Sequence, residues 1–173
     1  GCGCRTCANR AVVASCNDLA TQYPQLAAQW HPTRNGALTP GMVAPGATRR
    51  VWWRCERGHE WQASVTSRTS GGNGCPVCAG KQVVAGENDL ASRFPAVAAQ
   101  WHPTKNGKLT PQQVTPYANR KVWWRCELGH EYQAAVGART MSGSGCPYCS
   151  GRKVLAGFND LATLAPEVAR QWH

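Results

Sequence analysis

A strict internal repeat constrains this chain more than any other feature. Asn17-Asp18-Leu19-Ala20 returns at 88–91 and again at 159–162, a step of 71 residues each time. Trp30-His31, Trp101-His102 and Trp172-His173 keep that step, and so do Cys55 and Cys126, His59 and His130, Cys75 and Cys146, and Cys78 and Cys149. No insertion breaks the register. A fixed period of this length means that one small folding unit is written more than once. The 173 residues open within Gly3-Cys4-Arg5-Thr6-Cys7, the counterpart of Gly74-Cys75-Pro76-Val77-Cys78, and close on Gln171-Trp172-His173. The chain therefore reads as a slice of a longer array or as an array with truncated ends. The period divides it into a partial unit 1–16, a unit 17–78, a linker 79–87, a second unit 88–149, a linker 150–158, and the start of a further unit at 159–173.

Within one period, Asp18 suits a helix N-cap, where its carboxylate accepts from free backbone N–H groups. Pro24 suits the first position of a second helix, where no N–H is needed. Leu26 and Trp30 lie four apart on one helical face, as do Leu19 and Tyr23. Pro32 stops the helix, Asn35-Gly36 makes a turn, and Thr39-Pro40 starts a single capped turn ending near Val43. Val51–Cys55 reads as a strand, and the alternating segment 61–66 as a half-buried second strand. The pair predicts a hairpin with a metal knuckle at its tip. Each of His31, His102 and His173 ends a helix, where a histidine caps free carbonyls.

The cysteine spacing supplies the chemistry. Cys55-x3-His59 is followed by Cys75-x2-Cys78, and Cys126-x3-His130 by Cys146-x2-Cys149. Each set offers three thiolates and one imidazole, a complete tetrahedral shell for Zn²⁺, and the nitrogen-plus-sulfur donors disfavour Ca²⁺ and Mg²⁺. A disulfide framework is the competing reading. It does not account for a histidine that recurs in step with the cysteines. Zinc-held thiolates imply an intracellular, reducing compartment, in cytoplasm, nucleus or nucleoid. A closed four-ligand shell leaves no position for substrate, so its contribution is folding energy. Cys2, Cys4, Cys7 and Cys16 form either a third, all-cysteine site or a half-site exposed by truncation; the second reading is preferred. The fold class expected is a small α+β zinc-stapled repeat of β-hairpin units, with a short helix preceding each hairpin.

The strings Asn-Asp-Leu-Ala, Trp-His-Pro-Thr-Lys-Asn-Gly, Lys-Val-Trp-Trp-Arg-Cys, Gly-His-Glu and Gly-Cys-Pro-x-Cys cover nearly the whole chain. In them the sequence resembles a family of zinc-ribbon, treble-clef-like domains of largely unknown function. Members occur in tandem arrays or beside endonuclease domains of the very-short-patch-repair type. The resemblance implies zinc binding through the eight residues above, and nucleic-acid binding. The first partial unit departs from the pattern: Arg5 replaces the knuckle proline and no Cys-x3-His precedes it.

Charge points to the partner. Nineteen Lys and Arg stand against nine Asp and Glu, a net of +10. Two loaded sites at −1 each leave about +8. The cations recur by position: Arg49-Arg50 and Arg120-Lys121 before the first strand, Arg54 and Arg125 within it, Arg68 and Arg139 at the end of the second. Arg34 and Lys105 precede the Asn-Gly turn, and Lys81 and Arg152-Lys153 fall in linkers. Strand alternation sets Trp53 and Trp124 inward with the metal ligand, and leaves Trp52 and Trp123 half-exposed beside Arg54 and Arg125. Such a ribbon attracts a polyanion backbone. DNA is preferred over RNA. In the competing readings the chain is a zinc-stapled protein-interaction scaffold with a protein partner, or the targeting part of a larger nuclease. No apolar run is long enough to span a membrane, and no signal-peptide pattern is present. No small-molecule substrate and no enzymatic activity are expected. The acids are few, and no P-loop, nucleophile elbow or dinucleotide fingerprint occurs.

Overall fold

A computed structural model describes residues 12–172. The chain divides into two compact units, one ending at Lys81 and one beginning at Gln82.

The first unit opens with two single-turn helices, α1 (Leu19–Gln22) and α2 (Pro24–Ala27). Asp18 caps α1: its carboxylate accepts from the Thr21 N–H at 2.9 Å and the Thr21 hydroxyl at 2.8 Å. The residue before a proline cannot hold helical geometry easily. Tyr23 therefore breaks α1 from α2, with φ −137° and ψ 64°, and Pro24 starts the next turn. A 3₁₀ turn follows at Pro40–Met42. Strands β1 (Arg50–Arg54) and β2 (Glu60–Ser64) then pair antiparallel, with Trp53 opposite Trp61 and Trp52 opposite Gln62.

The second strand is shorter than its alternation predicts. Val65 and Thr66 begin α3 (Val65–Thr69) instead. The Ser64 side chain accepts from Ser67 N–H at 3.2 Å, but this cap is not the cause. Ala135 offers none, and the same helix forms in the second unit. Tertiary contacts decide it: Val65 is fully buried, and its N–H donates to Arg49 O at 3.2 Å while Thr66 N–H donates to Ala47 O at 2.9 Å. A helix thus follows each hairpin as well as preceding it.

Leu19, Val43, Val51, Trp53, Trp61, Val65 and Val77 make the core. The Trp30 and Trp53 rings meet edge-to-face at 5.4 Å, a favoured aromatic geometry. The chain at 29–31 also runs antiparallel beside β1. Arg54 N–H donates to Gln29 O at 2.8 Å, and His31 N–H to Trp52 O at 3.1 Å. Asn35 extends this edge with its side chain: its amide nitrogen donates to Trp52 O at 2.9 Å and its amide oxygen accepts from Trp52 N–H at 2.8 Å. One amide thus stands in for a strand partner, and the edge of β1 is closed. Replacing Asn35 by Ala leaves the Trp52 N–H without its partner and removes one of the two donors to Trp52 O, which keeps His31 N–H, and costs about 1–3 kcal/mol. Thermal unfolding of zinc-loaded protein is expected to show the first unit melting ahead of the second; coincident melting would show that the clamp adds nothing.

The second unit repeats this order with α4 (Leu90–Arg93), α5 (Pro95–Ala98), a 3₁₀ turn at Pro111–Gln113, β3 (Lys121–Arg125), β4 (Glu131–Ala135) and α6 (Val136–Thr140). Leu90, Val114, Val122, Trp124, Tyr132 and Val136 form its core. A third helical pair follows, α7 (Leu161–Leu164) and α8 (Pro166–Ala169). Asp160 caps it as Asp18 and Asp89 cap theirs. Leu161 is nevertheless 43% exposed, whereas Leu19 and Leu90 are 0%. No hairpin covers it among the described residues. None of the described helices is long and apolar enough to cross a membrane.

Candidate metal centre

Cys55 follows the last residue of β1 and His59 precedes the first of β2. The turn between them closes with Gly58 N–H donating to Cys55 O at 2.9 Å and Cys55 N–H to His59 O at 3.1 Å. Gly58 holds φ +87°, a region costly for any residue with a Cβ. The other ligand pair lies beyond α3. Its turn is closed by Ala79 N–H donating to Cys75 O at 3.0 Å.

These two turns bring four donor atoms together. Cys55 Sγ lies 3.3 Å from His59 Nδ1 and 3.9 Å from Cys78 Sγ. His59 Nδ1 is 3.5 Å from Cys75 Sγ and 3.3 Å from Cys78 Sγ. In the second unit Cys126 Sγ lies 3.8 Å from Cys149 Sγ, and His130 Nδ1 is 3.5, 3.7 and 3.3 Å from the sulfurs of Cys126, Cys146 and Cys149. Zinc bonds of about 2.3 Å to sulfur and about 2.0 Å to nitrogen, at tetrahedral angles, separate sulfurs by about 3.8 Å and sulfur from nitrogen by about 3.5 Å. Both clusters match, and within each the donor atoms all lie within 4.8 Å of one another. The sulfurs are far beyond disulfide bonding distance. Cys16 is free and exposed. Cys2, Cys4 and Cys7 lie outside the described residues, so the third site does too.

Burial works to raise the Cys55 thiol, but the backbone N–H groups of the knuckle and the neighbouring cysteines outweigh it and hold it at about 7. Cys126 is lowered against the same opposition. Burial and the adjacent cysteines push Cys78 up to about 11 and Cys149 up to about 12. The knuckle thus favours one thiolate and makes the next costly, the electrostatic condition that a divalent cation relieves.

The residues read as a nucleic-acid face divide. Arg49, Arg50, Arg54, Arg120, Lys121 and Arg125 are exposed. Arg68 and Arg139 are not: they are 4% and 8% exposed, on α3 and α6 rather than at strand ends. The helical turn at Val65 rotates Arg68 inward, with its guanidinium 4.9 Å from the Trp53 ring and 5.0 Å from Trp61. Trp52 and Trp123 are half-buried as expected. The cation over each ring is Arg34, at 4.5 Å, and Lys105, at 4.7 Å.

The histidines differ from expectation as well. His31 caps no helix carbonyl. Its Nδ1 accepts from the N–H groups of Thr33 and Arg34 at 3.2 and 3.1 Å, which places the ring proton on Nε2, facing Glu60 Oε1 at 2.9 Å. Pro32 turns the chain so that free N–H groups, not carbonyls, meet the ring. His102 and Glu131 repeat this at 2.7 Å, and His173 lies outside the described residues. Glu60 also pairs with Arg34 at 3.0 Å, and Glu131 with Lys105. The hydrogen bond from His31, with Arg34 beside it, lowers Glu60; Lys105 and His102 hold Glu131 at about 2. The sequence signal was present, since His and Glu recur at the same 29-residue separation in both units.

A family model described as a probable treble clef zinc finger domain matches the chain twice, over residues 26–81 and 97–152. Each match contains one complete Cys3His cluster. No curated protein matches the chain.

Proposed function

Given that the chain belongs to the family of probable treble clef zinc finger domains, with two Cys3His sites that take two zinc ions, we propose that it is a non-catalytic module that binds nucleic acid, double-stranded DNA in preference to RNA. The observation that carries this reading is one exposed face. Arg50, Trp52 and Arg54 share the side of β1 turned away from the core, with burial alternating along the strand, and Lys121, Trp123 and Arg125 repeat it on β3. Arg49 and Arg120 adjoin them. The zinc knuckle at the hairpin tip holds this face in shape. Cations on a rigid ribbon contact phosphates, which gives affinity without base choice. The Trp52 and Trp123 rings carry Arg34 and Lys105 on one face, so they serve as shelves for those cations before they serve as base-stacking platforms.

The acids support a role without catalysis. Asp18, Asp89 and Asp160 cap helices. Glu60 and Glu131 hold His31 and His102, and Glu167 pairs with Arg170. A metal-dependent nuclease needs clustered carboxylates, and none form among the described residues.

Fluorescence anisotropy of zinc-loaded protein on duplex DNA, single strands and RNA tests the reading. About four phosphate contacts give a log–log salt slope near −3.6, an affinity loss of about 150-fold between 50 and 200 mM salt. Arg54→Glu with Arg125→Glu is expected to weaken binding about 100-fold or more, since each reversal replaces an attraction with a repulsion. Binding indifferent to salt, or none on any polymer, would overturn it. A zinc-stapled protein-interaction scaffold would then be the better account.

A further inference from the structure

The buried arginines invite a separate question. Arg68 and Arg139 sit in the same place in both units, and lie inside. Burying a guanidinium without a counter-charge is expensive. Neither has a carboxylate partner among the described residues. Arg68 donates from Nη2 to Gln29 Oε1 at 2.5 Å, and its Nε and Nη1 have no hydrogen-bond partner. Arg139 donates from Nη2 to Gln100 Oε1 at 2.5 Å and from Nη1 to the Tyr132 hydroxyl, and its Nε is likewise unpartnered. Neutral amides and aromatic rings orient these side chains without balancing their charge.

Metal ligands share a pocket with the buried guanidinium. Arg68 lines a space of about 300 Å³ together with Cys55, Cys75, Cys78 and Gln29; the one carboxylate there, Glu56, is exposed and makes no ion pair with Arg68. We propose that Arg68 and Arg139 are the buried counter-ions of the two metal centres: a guanidinium, fixed by Gln29 or Gln100 and by the core aromatics beside the ligand cysteines, matches the single negative charge that Zn²⁺ carries when three thiolates and an imidazole bind it. Burial draws the Arg68 guanidinium down from its ordinary value, and negative charge on Cys75 and then Cys55 draws it back; Cys146 and Cys126 do the same for Arg139.

Two consequences follow. Core closure depends on the metal, because neutral thiols leave a buried cation unbalanced. The same cation lowers the electron density of the bound thiolates, and so their reactivity toward electrophiles. A residue present only to fill space against Trp53 and Trp61 would do neither. Arg68 acts through the ligands and is a positioning residue in this sense.

The test uses the full chain, with the second site as internal reference. Arg68→Met and Arg68→Lys are loaded with cobalt(II), and zinc affinity is read by competition with a chromophoric chelator. Arg68→Met is expected to weaken the first site alone about 10–100-fold, and to move its thiolate-to-cobalt charge-transfer band to lower energy, because an unneutralised thiolate is easier to oxidise. Arg68→Lys keeps the charge and loses the planar fork, and is expected to hold affinity within about threefold of the parent with the band unmoved. If Arg68→Met takes up no metal at the first site, Arg68→Lys decides alone on the same two readings. A lysine variant as weak as the methionine variant, or a methionine variant with parental affinity and band, would overturn the proposal and leave a packing role.

Discussion

Chelation is expected to unfold both hairpin units, and zinc to restore them with two ions per chain. The comparison of magnitudes is one-sided. A structural Cys3His site contributes about 10–16 kcal/mol at neutral pH. A unit of about 60 residues at ordinary stability per residue has a net of about 3–9 kcal/mol to lose. The apolar interior of the first unit is the seven side chains named above, two of them tryptophans. The hairpin tip has no apolar staple of its own: β1 and β2 are five residues each, and what joins the tip to the segment beyond α3 is the ligand cluster. Without metal, Cys78 and Cys149 are driven toward neutral thiols, and the knuckle no longer holds the far pair. Circular dichroism and the dispersion of tryptophan indole proton signals report the change. Dispersion that survives a chelator, or elemental analysis finding fewer than two zinc ions per chain, would break the account of how these units fold.

The second large effect is expected at Trp53 and Trp124. Each is 0% exposed. Trp53 meets Trp30 edge-to-face, donates from its indole nitrogen to Ala63 O at 3.1 Å and lies under the Arg68 guanidinium. It therefore ties the helical segment, both strands and α3 together. Truncating a buried tryptophan removes its transfer energy and leaves a cavity, about 3–5 kcal/mol together. It also exposes the Ala63 carbonyl and takes away one face of the Arg68 cradle. Trp53→Ala is expected to melt the first unit well before the second, and Trp124→Ala the reverse. Trp52→Ala, at a half-buried ring on the opposite face of the same strand, is the control and shifts melting far less. Equal effects at 52 and 53 would mean that the inward face of β1 has been misidentified.

These outcomes depend on two kinds of information in different degrees. The period, the ligand sets, the aspartate caps and the inward setting of Trp53 were legible because each is a short-range rule. Four donors at fixed spacing close a tetrahedron, a carboxylate accepts from the next helical turn, and alternate side chains of a strand face opposite ways. The end of β2 was not legible: 61–66 alternates as a strand would, and only contacts to Arg49 and Ala47 turn Val65 into a helix start. The consequence falls on function, since that turn carries Arg68 and Arg139 out of the ionic face and into the core. His31 was misjudged for the same reason, and the clamp that Asn35 makes from its turn went unforeseen. Their partners, Glu60 and the backbone of Trp52, lie far along the chain and meet them only once the hairpin is registered.

By itself, then, the order of residues determined the repeat, its metal chemistry and the cationic character of the chain, because spacing and charge need no folding to be counted. Tertiary structure alone decided which cations face water and which face the thiolates. The burial of an arginine depends on the direction its helix takes and on the rings waiting there, and neither is written within a few residues of it.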